Sequence, residues 1–327
     1  VAKTDIEWSE YVWNPVRGCT KISPGCKHCY AETFAERFRG VKGHAYEQGF
    51  DVRLVPEALD LPLRWKKPRR VFVNSMSDLF HEQVPSTFIA KVFATMAQAP
   101  QHTFQVLTKR VERMRAWMAD SVISMHAACI PGHLYLPNRG ATWPLPNVWL
   151  GVSCEDQATV DTRIPRLLTT PAAVRFVSCE PLLGPVDLTR IDYGVKGFCD
   201  NGRDTRLDWI IVGGESGPKA RSCNVAWVRS ILAQCKAARI PAFCKQLGAY
   251  VEDRNDTGFD GDTPTSWPMG TGVEHDVGDT DYQGAPVRIR LRDRKGGDPA
   301  EWPEDLRVRE MPARSTNVAQ DRRRNRQ

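Results

Sequence analysis

Three cysteines on one short loop are the residues whose types and spacing point most directly to chemistry. The stretch Gly18-Cys-Thr-Lys-Ile-Ser-Pro-Gly-Cys-Lys-His-Cys-Tyr30 holds Cys19, Cys26 and Cys29 in a C-x6-C-x2-C pattern. A loop rich in Pro and Gly lets three thiolates converge on one metal centre, with no helix or strand holding them apart. Thiolates are the ligands of iron–sulfur clusters, and three of them on a [4Fe-4S] cluster leave one iron open. An open iron can chelate the amino and carboxylate groups of S-adenosylmethionine. An electron from the cluster then breaks a carbon–sulfur bond and yields a 5′-deoxyadenosyl radical, chemistry that the cofactor supplies and the protein positions. Zinc takes thiolates as well, and His28 would complete a Cys3His set. His28 sits one residue from Cys29, however, which makes joint chelation awkward, and a second CxxC pair is missing. On spacing alone both readings stand.

Elements able to position such a loop are visible along the chain. Short apolar runs recur at Arg70–Asn74, Thr103–Leu107, Asn147–Val152, Val174–Ser178, Trp209–Val212 and Pro241–Lys245. Each is apolar through its length, as strands covered on both faces are. A weaker seventh run lies near Val12–Val16, just ahead of the cysteines. Between the runs, helical periodicity predicts helices over Thr87–Ala99, Arg110–Met118, Asp156–Leu168 and Val225–Ala238. In the last of these, Val225, Val228, Ile231, Leu232 and Cys235 form one apolar stripe. Strands alternating with helices imply right-handed βαβ units. The predicted fold class is α/β, a partial (β/α)6-type barrel of the TIM kind, in which chemistry sits on the loops after the strands.

Two stretches break the rhythm. Residues 121–146, rich in Pro, Gly and aromatic side chains, read as an insertion. Residues 251–313 read as a loop-rich C-terminal extension with one hairpin around Pro286–Leu291, which leaves 1–250 for the barrel. A chain of 327 residues with 41% hydrophobic content can bury one core of that size. The net charge of +6 invites a nucleic-acid reading. Residues 314–327, however, hold five Arg and one Asp, so removing that +4 tail leaves only about +2 on the rest. This tail is expected to be a solvated, disordered end. The basic run Lys66–Arg70 precedes a strand, at the end opposite the expected site, and reads as a solvated face.

No apolar run reaches the roughly eighteen residues of a membrane span. Val1–Tyr11 lacks an apolar leader. The expected location is therefore cytoplasmic, with no membrane partner, and the remaining cysteines read as reduced thiols rather than disulfides. Cys154 and Cys179 follow the fourth and fifth strands, and a second cluster facing the barrel mouth is one reading of them. Buried thiols explain them equally well.

The stretch from Ile6-Glu-Trp-Ser through Trp13-Asn-Pro-Val-Arg-Gly-Cys to Cys29-Tyr-Ala-Glu32 closely resembles the start of the phage-associated family Gp37/Gp68 (DUF5131), radical-SAM-like proteins. So do Val73-Asn-Ser-Met-Ser-Asp-Leu-Phe80, Leu107-Thr-Lys-Arg110, Trp149-Leu-Gly-Val152, Ser178-Cys-Glu-Pro-Leu-Leu-Gly184 and Val212-Gly-Gly-Glu-Ser-Gly217. The resemblance spans roughly residues 5 to 250. It implies a radical-SAM-type barrel, a [4Fe-4S] cluster, S-adenosyl-L-methionine and a phage or prophage origin, which would make the location the host cytoplasm. One departure stands out. Radical-SAM enzymes commonly use C-x3-C-x2-C with an aromatic residue before the last Cys, whereas the first gap here is wider and His28 fills the aromatic place.

The resemblance makes the strand ends candidate cofactor contacts. Asn74, Ser75, Ser77 and Asp78 follow the second strand, and Asp78 is the candidate for the methionine amino group, helix capping being its other role. Lys109 follows the third strand and would pair with the carboxylate. Ser153 and Glu155 follow the fourth strand and Glu180 the fifth, where they would meet ribose hydroxyls or a substrate amine. Gly213, Gly214 and Glu215 follow the sixth strand, where glycines let backbone approach a ligand. His28 joins this set beside the cysteines, and Lys245 and Gln246 would close the rim.

Two functions follow. The first is a radical S-adenosylmethionine enzyme acting on a nucleic-acid base or nucleotide, such as phage DNA for modification or repair, and reduced by a partner such as flavodoxin or ferredoxin. The second is a zinc-stabilised, non-catalytic module that binds nucleic acid or protein.

Overall fold

The computed structural model describes residues 2–127, 143–191, 206–253, 267, 274–276 and 287–312. The tail 314–327, the whole stretch 128–142 (Cys129 included) and Cys199 lie outside the described residues. Chain order runs β1 (Ala2–Lys3), β2 (Tyr11–Trp13), β3 (Val16–Arg17), α1 (Tyr30–Glu36), β4 (Arg53–Leu54), β5 (Arg70–Val73), α2 (Ser86–Gln98) and β6 (Thr103–Thr108). It continues through α3 (Val111–Ala127), β7 (Val148–Ser153), α4 (Gln157–Leu168), β8 (Val174–Cys179), β9 (Trp209–Gly213), β10 (Cys223–Asn224), α5 (Val225–Ala238) and β11 (Ala242–Gln246). The last strands are β12 (Val251–Asp253), β13 (Glu274–Asp276) and β14 (Val287–Arg290).

One eight-stranded sheet runs β1-β2-β5-β6-β7-β8-β9-β11. Every pair is parallel except β1 with β2. The order is sequential, the sheet curls into an open half-barrel, and all the parallel strands end at one rim. Each predicted strand run appears within a residue or two, and the weak seventh run becomes β2. Helix α5 buries the very stripe its periodicity marks, and Asn224 caps it by accepting from Ala226 N. Helix α4 starts at a capping box between Asp156 and Thr159. Helix α3 outruns its predicted end at Met118, because nothing between Val111 and Ala127 is Gly or Pro. The first residues of the expected insertion, 121–127, continue α3, and 128–142 lie outside the described residues.

The sheet's two faces divide the core. Val71, Val73, Phe104, Val106, Leu150, Val152, Val177, Ile210 and Val212 point outward against the helices. The alternate residues Phe72, Trp149, Val174, Phe176, Trp209, Ile211 and Phe243 fill the inside, joined by Trp8 from the N-terminal segment. This period of two follows from the strand pleat. Trp8 packs on Phe72 at 4.7 Å and edge-on to Trp209 at 6.1 Å. These aromatic rings stop up the barrel at the start of its strands. Gly151 leaves room for Phe176, whose ring stands 2.5 Å from where a Cβ would be. Above this plug the inward positions are Asn74, Lys109, Ser153, Ser178, Glu180, Gly213 and Lys245. The bottom is apolar and the rim is polar.

Strands β12 and β13 pair antiparallel with β14, close to the expected hairpin. The chain after them returns to the barrel edge. Cys244 N donates to Val308 O at 2.7 Å and Trp209 Nε1 to Glu310 O at 2.9 Å, so β11 is not left bare as a sheet edge. The basic run before β5 is partly packed, with the Arg69 guanidinium 4.0 Å from the Tyr11 ring centroid. Among the described residues no helix is long and apolar enough to cross a membrane.

Candidate active site at the cysteine loop

The loop between β3 and α1 starts at Gly18, whose φ of +77° suits glycine and whose missing Cβ makes room for Asp51 O, 2.1 Å from that position. Gly18 N donates to Met76 O, and Cys19 N to Phe50 O. Ser77 Oγ donates to Val16 O at 2.8 Å, and Ser75 Oγ to Asn14 Oδ1 at 3.3 Å. The two serines thus stitch the post-β5 loop to the strand that enters the cysteine loop. Asn74 takes a left-handed φ of 61°, accepts from Val16 N, and keeps a buried Nδ2 with no protein partner.

Cys19, Cys26 and Cys29 are free and half-buried, whereas the other described cysteines are buried in the core. Cys29 caps the N-terminus of α1. Burial pushes the Cys19 thiol up to about 11, the Asp78 charge adds to this, and Arg110 opposes it. Burial also raises Cys29, against the pull of the Glu32 and Ala31 backbone in the first turn of α1. The Cys26 charge reaches both neighbours. Without a metal, Cys19 and Cys29 hold their protons, which metal binding would release. Among the described residues no three His, Cys, Asp or Glu donors close to the spacing of a single metal ion. A tetrahedral zinc ion requires that spacing, with thiolates about 2.3 Å from the metal.

Three buried side chains hold the loop from below. Arg110 spends its whole guanidinium. Nη1 donates to Cys19 Sγ at 3.4 Å and Asp78 Oδ2 at 3.3 Å, Nη2 to Thr20 O and Oγ1, and Nε to Glu82. Asp78, the expected ligand for a methionine amino group, accepts from Thr108 Oγ1 at 2.7 Å, Phe80 N at 2.9 Å, Lys109 N at 3.1 Å and Arg110. Its carboxylate is thus engaged within the protein as the anchor of Arg110. Thr20 also meets His81 Nε2 at 2.9 Å.

Glu155 is fully buried and accepts from Gly25 N at 3.1 Å and Arg163 Nη1 at 2.7 Å, with Lys109 Nζ at 3.9 Å. Burial alone would raise its pKa, but Lys109, Arg163 and the loop's hydrogen bonds hold it below the usual carboxylate value. It ties the Pro24-Gly25 turn to the end of β7. Glu215 accepts from Arg221 N, Nε and Nη2, and Arg221 Nη1 reaches Pro24 O at 2.9 Å. Burial opposes ionisation of Glu215 as well, and Arg221 more than offsets it. Lys109 and Glu155 are thereby brought together, and Glu215 meets the loop through Arg221.

Across the mouth the rim is sparser. Glu180 Oε2 accepts from Ser178 Oγ at 3.1 Å, and Oε1 meets Lys245 Nζ at 3.1 Å. Gly213 lies flush beneath them, since a Cβ there would stand 2.7 Å from Glu180 Oε1. Gly214 lets Leu247 O approach. Gln246 is spent on Gly214 O. Ser153 is buried, and its carbonyl accepts from Arg163. His28 is half-buried beside the cysteines and lies near Glu215.

The expectation that Cys154 and Cys179 face the mouth is overturned. Both are fully buried on the helix side of the sheet, because they alternate with the inward residues Ser153 and Ser178. Strand parity, applied to those two residues, was the signal. Arg110, Arg163 and Arg221 were not legible as anchors, since the sequence does not show which cation meets which acid.

The model of the family described as "Protein of unknown function (DUF5131)" matches residues 3–318, and the chain belongs to that family. No curated protein matches the sequence. Among solved structures, a mutant spore photoproduct lyase with bound AdoMet and dinucleoside spore photoproduct is similar at TM-score 0.40 and 10% identity. A second mutant of spore photoproduct lyase is similar at 0.37 and 10%, and the lyase complexed with dinucleoside spore photoproduct at 0.33 and 11%. Each covers 89% of this chain and 71% of its own.

Proposed function

Starting from membership of this family and from the site geometry, we propose that the chain is a radical S-adenosylmethionine enzyme whose Cys19, Cys26 and Cys29 hold a [4Fe-4S] cluster. The observation that carries this reading is the cysteine loop itself: three half-buried thiols at the rim of a parallel barrel, pinned by Arg110, Glu155 and Arg221. Bound there, the cluster and S-adenosylmethionine supply a 5′-deoxyadenosyl radical.

The chain's own residues do the rest. Cys29 sits at a helix N-terminus, where backbone amides favour a thiolate. Arg110 aims a charge-assisted donor at Cys19 Sγ. Glu180, Lys245 and the unpartnered Asn74 Nδ2 present polar groups on the inner face, suited to the amino, carboxylate and ribose groups of the cofactor. The aromatic plug around Trp8 excludes water from beneath.

The proposed substrate is a nucleic-acid base or nucleotide, favoured by the Arg-rich segment 314–327 and an open rim able to accept an extruded base. The zinc reading has less support, because His28 sits one residue from Cys29 and a second CxxC pair is missing. The test is reductive cleavage. Anaerobically reconstituted protein with dithionite and S-adenosylmethionine should release 5′-deoxyadenosine, and a fully loaded cluster that releases none would rule the reading out.

A further inference from the structure

Each of the three loop sulfurs has a different kind of neighbour. Cys29 caps α1, where the Glu32 and Ala31 backbone amides favour a thiolate. Cys26 Sγ stands 3.7 Å from the Ser23 hydroxyl, a neutral partner. Among the described residues, only Cys19 Sγ accepts from a charged side chain, Arg110 Nη1 at 3.4 Å. Hydrogen bonds to the sulfur ligands, and the charge near them, set the potential of an iron–sulfur centre.

Arg110 is fixed for that contact. Its side chain is 4% exposed and follows β6. Asp78 Oδ2 at 3.3 Å, Glu82 Oε2 at 3.0 Å, and Thr20 O and Oγ1 at 3.1 and 3.0 Å hold the guanidinium in place. Thr20 Oγ1 also accepts from His81 Nε2 at 2.9 Å, because Gln83 N donates to His81 Nδ1 and leaves the proton on Nε2. As a thiol, Cys19 donates to Thr20 O at 3.5 Å. That carbonyl keeps its bond from Arg110 once the sulfur has lost its proton. The two carboxylates do not cancel the guanidinium evenly. Glu82 is 66% exposed and screened by water. Asp78 is committed to Thr108 Oγ1, Phe80 N and Lys109 N as well.

We propose that Arg110 is a positioning residue that, through Cys19, raises the reduction potential of the cluster. The inference rests on the reading of a cluster at Cys19, Cys26 and Cys29. Uptake of one electron, from a low-potential one-electron reductant, adds one negative charge to the cluster and its thiolates; no bond forms or breaks and no proton moves. A buried cation donating to one of those sulfurs favours the more negative state. The guanidinium keeps its charge at any pH the fold survives, so the effect needs no titration. Without Arg110 the sulfur would face the Asp78 charge alone, which acts in the opposite sense.

The test is a redox titration of the anaerobically reconstituted full chain, followed by electron paramagnetic resonance, in wild type, Arg110→Gln, Arg110→Lys and Glu82→Gln. Melting of the iron-free chains checks that each variant folds. Arg110→Gln should shift the one-electron equilibrium about tenfold towards the oxidised cluster, a potential about 59 mV more negative. Arg110→Lys should shift it less, since the charge stays while the planar fork is lost. Glu82→Gln removes an exposed counter-charge and keeps Arg110, so it should shift the equilibrium the other way, by about twofold. A merely structural Arg110 would change cluster content or melting without this pair of opposite shifts. An Arg110→Gln potential equal to wild type would overturn the proposal, as would a Glu82→Gln shift in the same direction as Arg110→Gln. Where Arg110→Gln holds no cluster, Arg110→Lys and Glu82→Gln decide by the same signs. If wild type itself holds no cluster, the functional reading fails on its own. Alkylation of Cys19 by iodoacetamide in the iron-free chain then tests the guanidinium separately. Arg110→Gln should slow it about tenfold and leave Cys29 unchanged, and an unchanged Cys19 rate counts against the proposal.

Discussion

The two sides of the barrel mouth are built on opposite principles. On the side of β2, β5, β6 and β7, the polar groups are buried and, apart from Asn74 Nδ2, saturated. Asp78 accepts from four donors, Arg110 uses every guanidinium nitrogen, and Glu155 has no exposed surface. On the side of β8, β9 and β11, among the described residues, the Glu180 and Lys245 side chains pair with each other and Glu180 with one serine, and they keep 14% and 21% exposure. A saturated network over-determines one loop shape, as pre-organised sites require. A sparse pair keeps hydrogen-bonding capacity for a ligand. Under the proposed function the contrast is a division of labour: the first half, joined by Arg221 from beyond β9, fixes the cysteine loop, and the Glu180–Lys245 pair keeps capacity for a ligand.

Substitutions that separate the halves should rank accordingly. Cys26→Ala should have the largest effect, abolishing the visible iron–sulfur absorbance after reconstitution while the melting temperature of the iron-free chain hardly moves. Glu155→Gln comes next. It strands Arg163 and Lys109 around a neutral group, and thermal or urea unfolding should show a loss of about 3 kcal/mol. Because its folded pKa is depressed, Glu155 contributes stability that is present above its unfolded value and lost as the pH falls through the lower folded value. The wild-type chain should therefore lose stability in that acid window, and the variant should lose less. Glu180→Gln should have a smaller stability effect, under about 1 kcal/mol for a partly exposed pair. It should nevertheless weaken S-adenosylmethionine about tenfold in a binding titration, a cost of roughly 1.4 kcal/mol. The smallest effect is expected for Lys66→Ala, an exposed residue at the closed end; cluster content and cofactor affinity should stay at wild-type levels.

The strands, α5 and the cysteine loop were legible in the sequence alone. The β-branched runs announced the strands because parallel strands are buried on both faces, and α5 showed its buried stripe in its spacing. The cysteine loop was readable because three like ligands on thirteen residues are rare by chance. Side-chain partnership was hidden. Asp78 was read as a ligand contact because it follows a strand, and local sequence does not show that its donors are Thr108, Lys109 and Arg110 at the end of the neighbouring β6. The Trp8 plug was also unannounced, since a lone Trp before the first strand gives no periodicity to read. Long-range pairing of this kind is fixed by topology, which local sequence does not encode.

The measurement that bears most directly on the central claim is an iron count joined to electron paramagnetic resonance on anaerobically reconstituted protein, before and after adding S-adenosylmethionine. About four irons per chain and a spectrum of the reduced cluster that changes on addition are expected, because the fourth iron is open to the cofactor. A colourless protein with one zinc per chain, or a four-iron spectrum indifferent to S-adenosylmethionine, would contradict it.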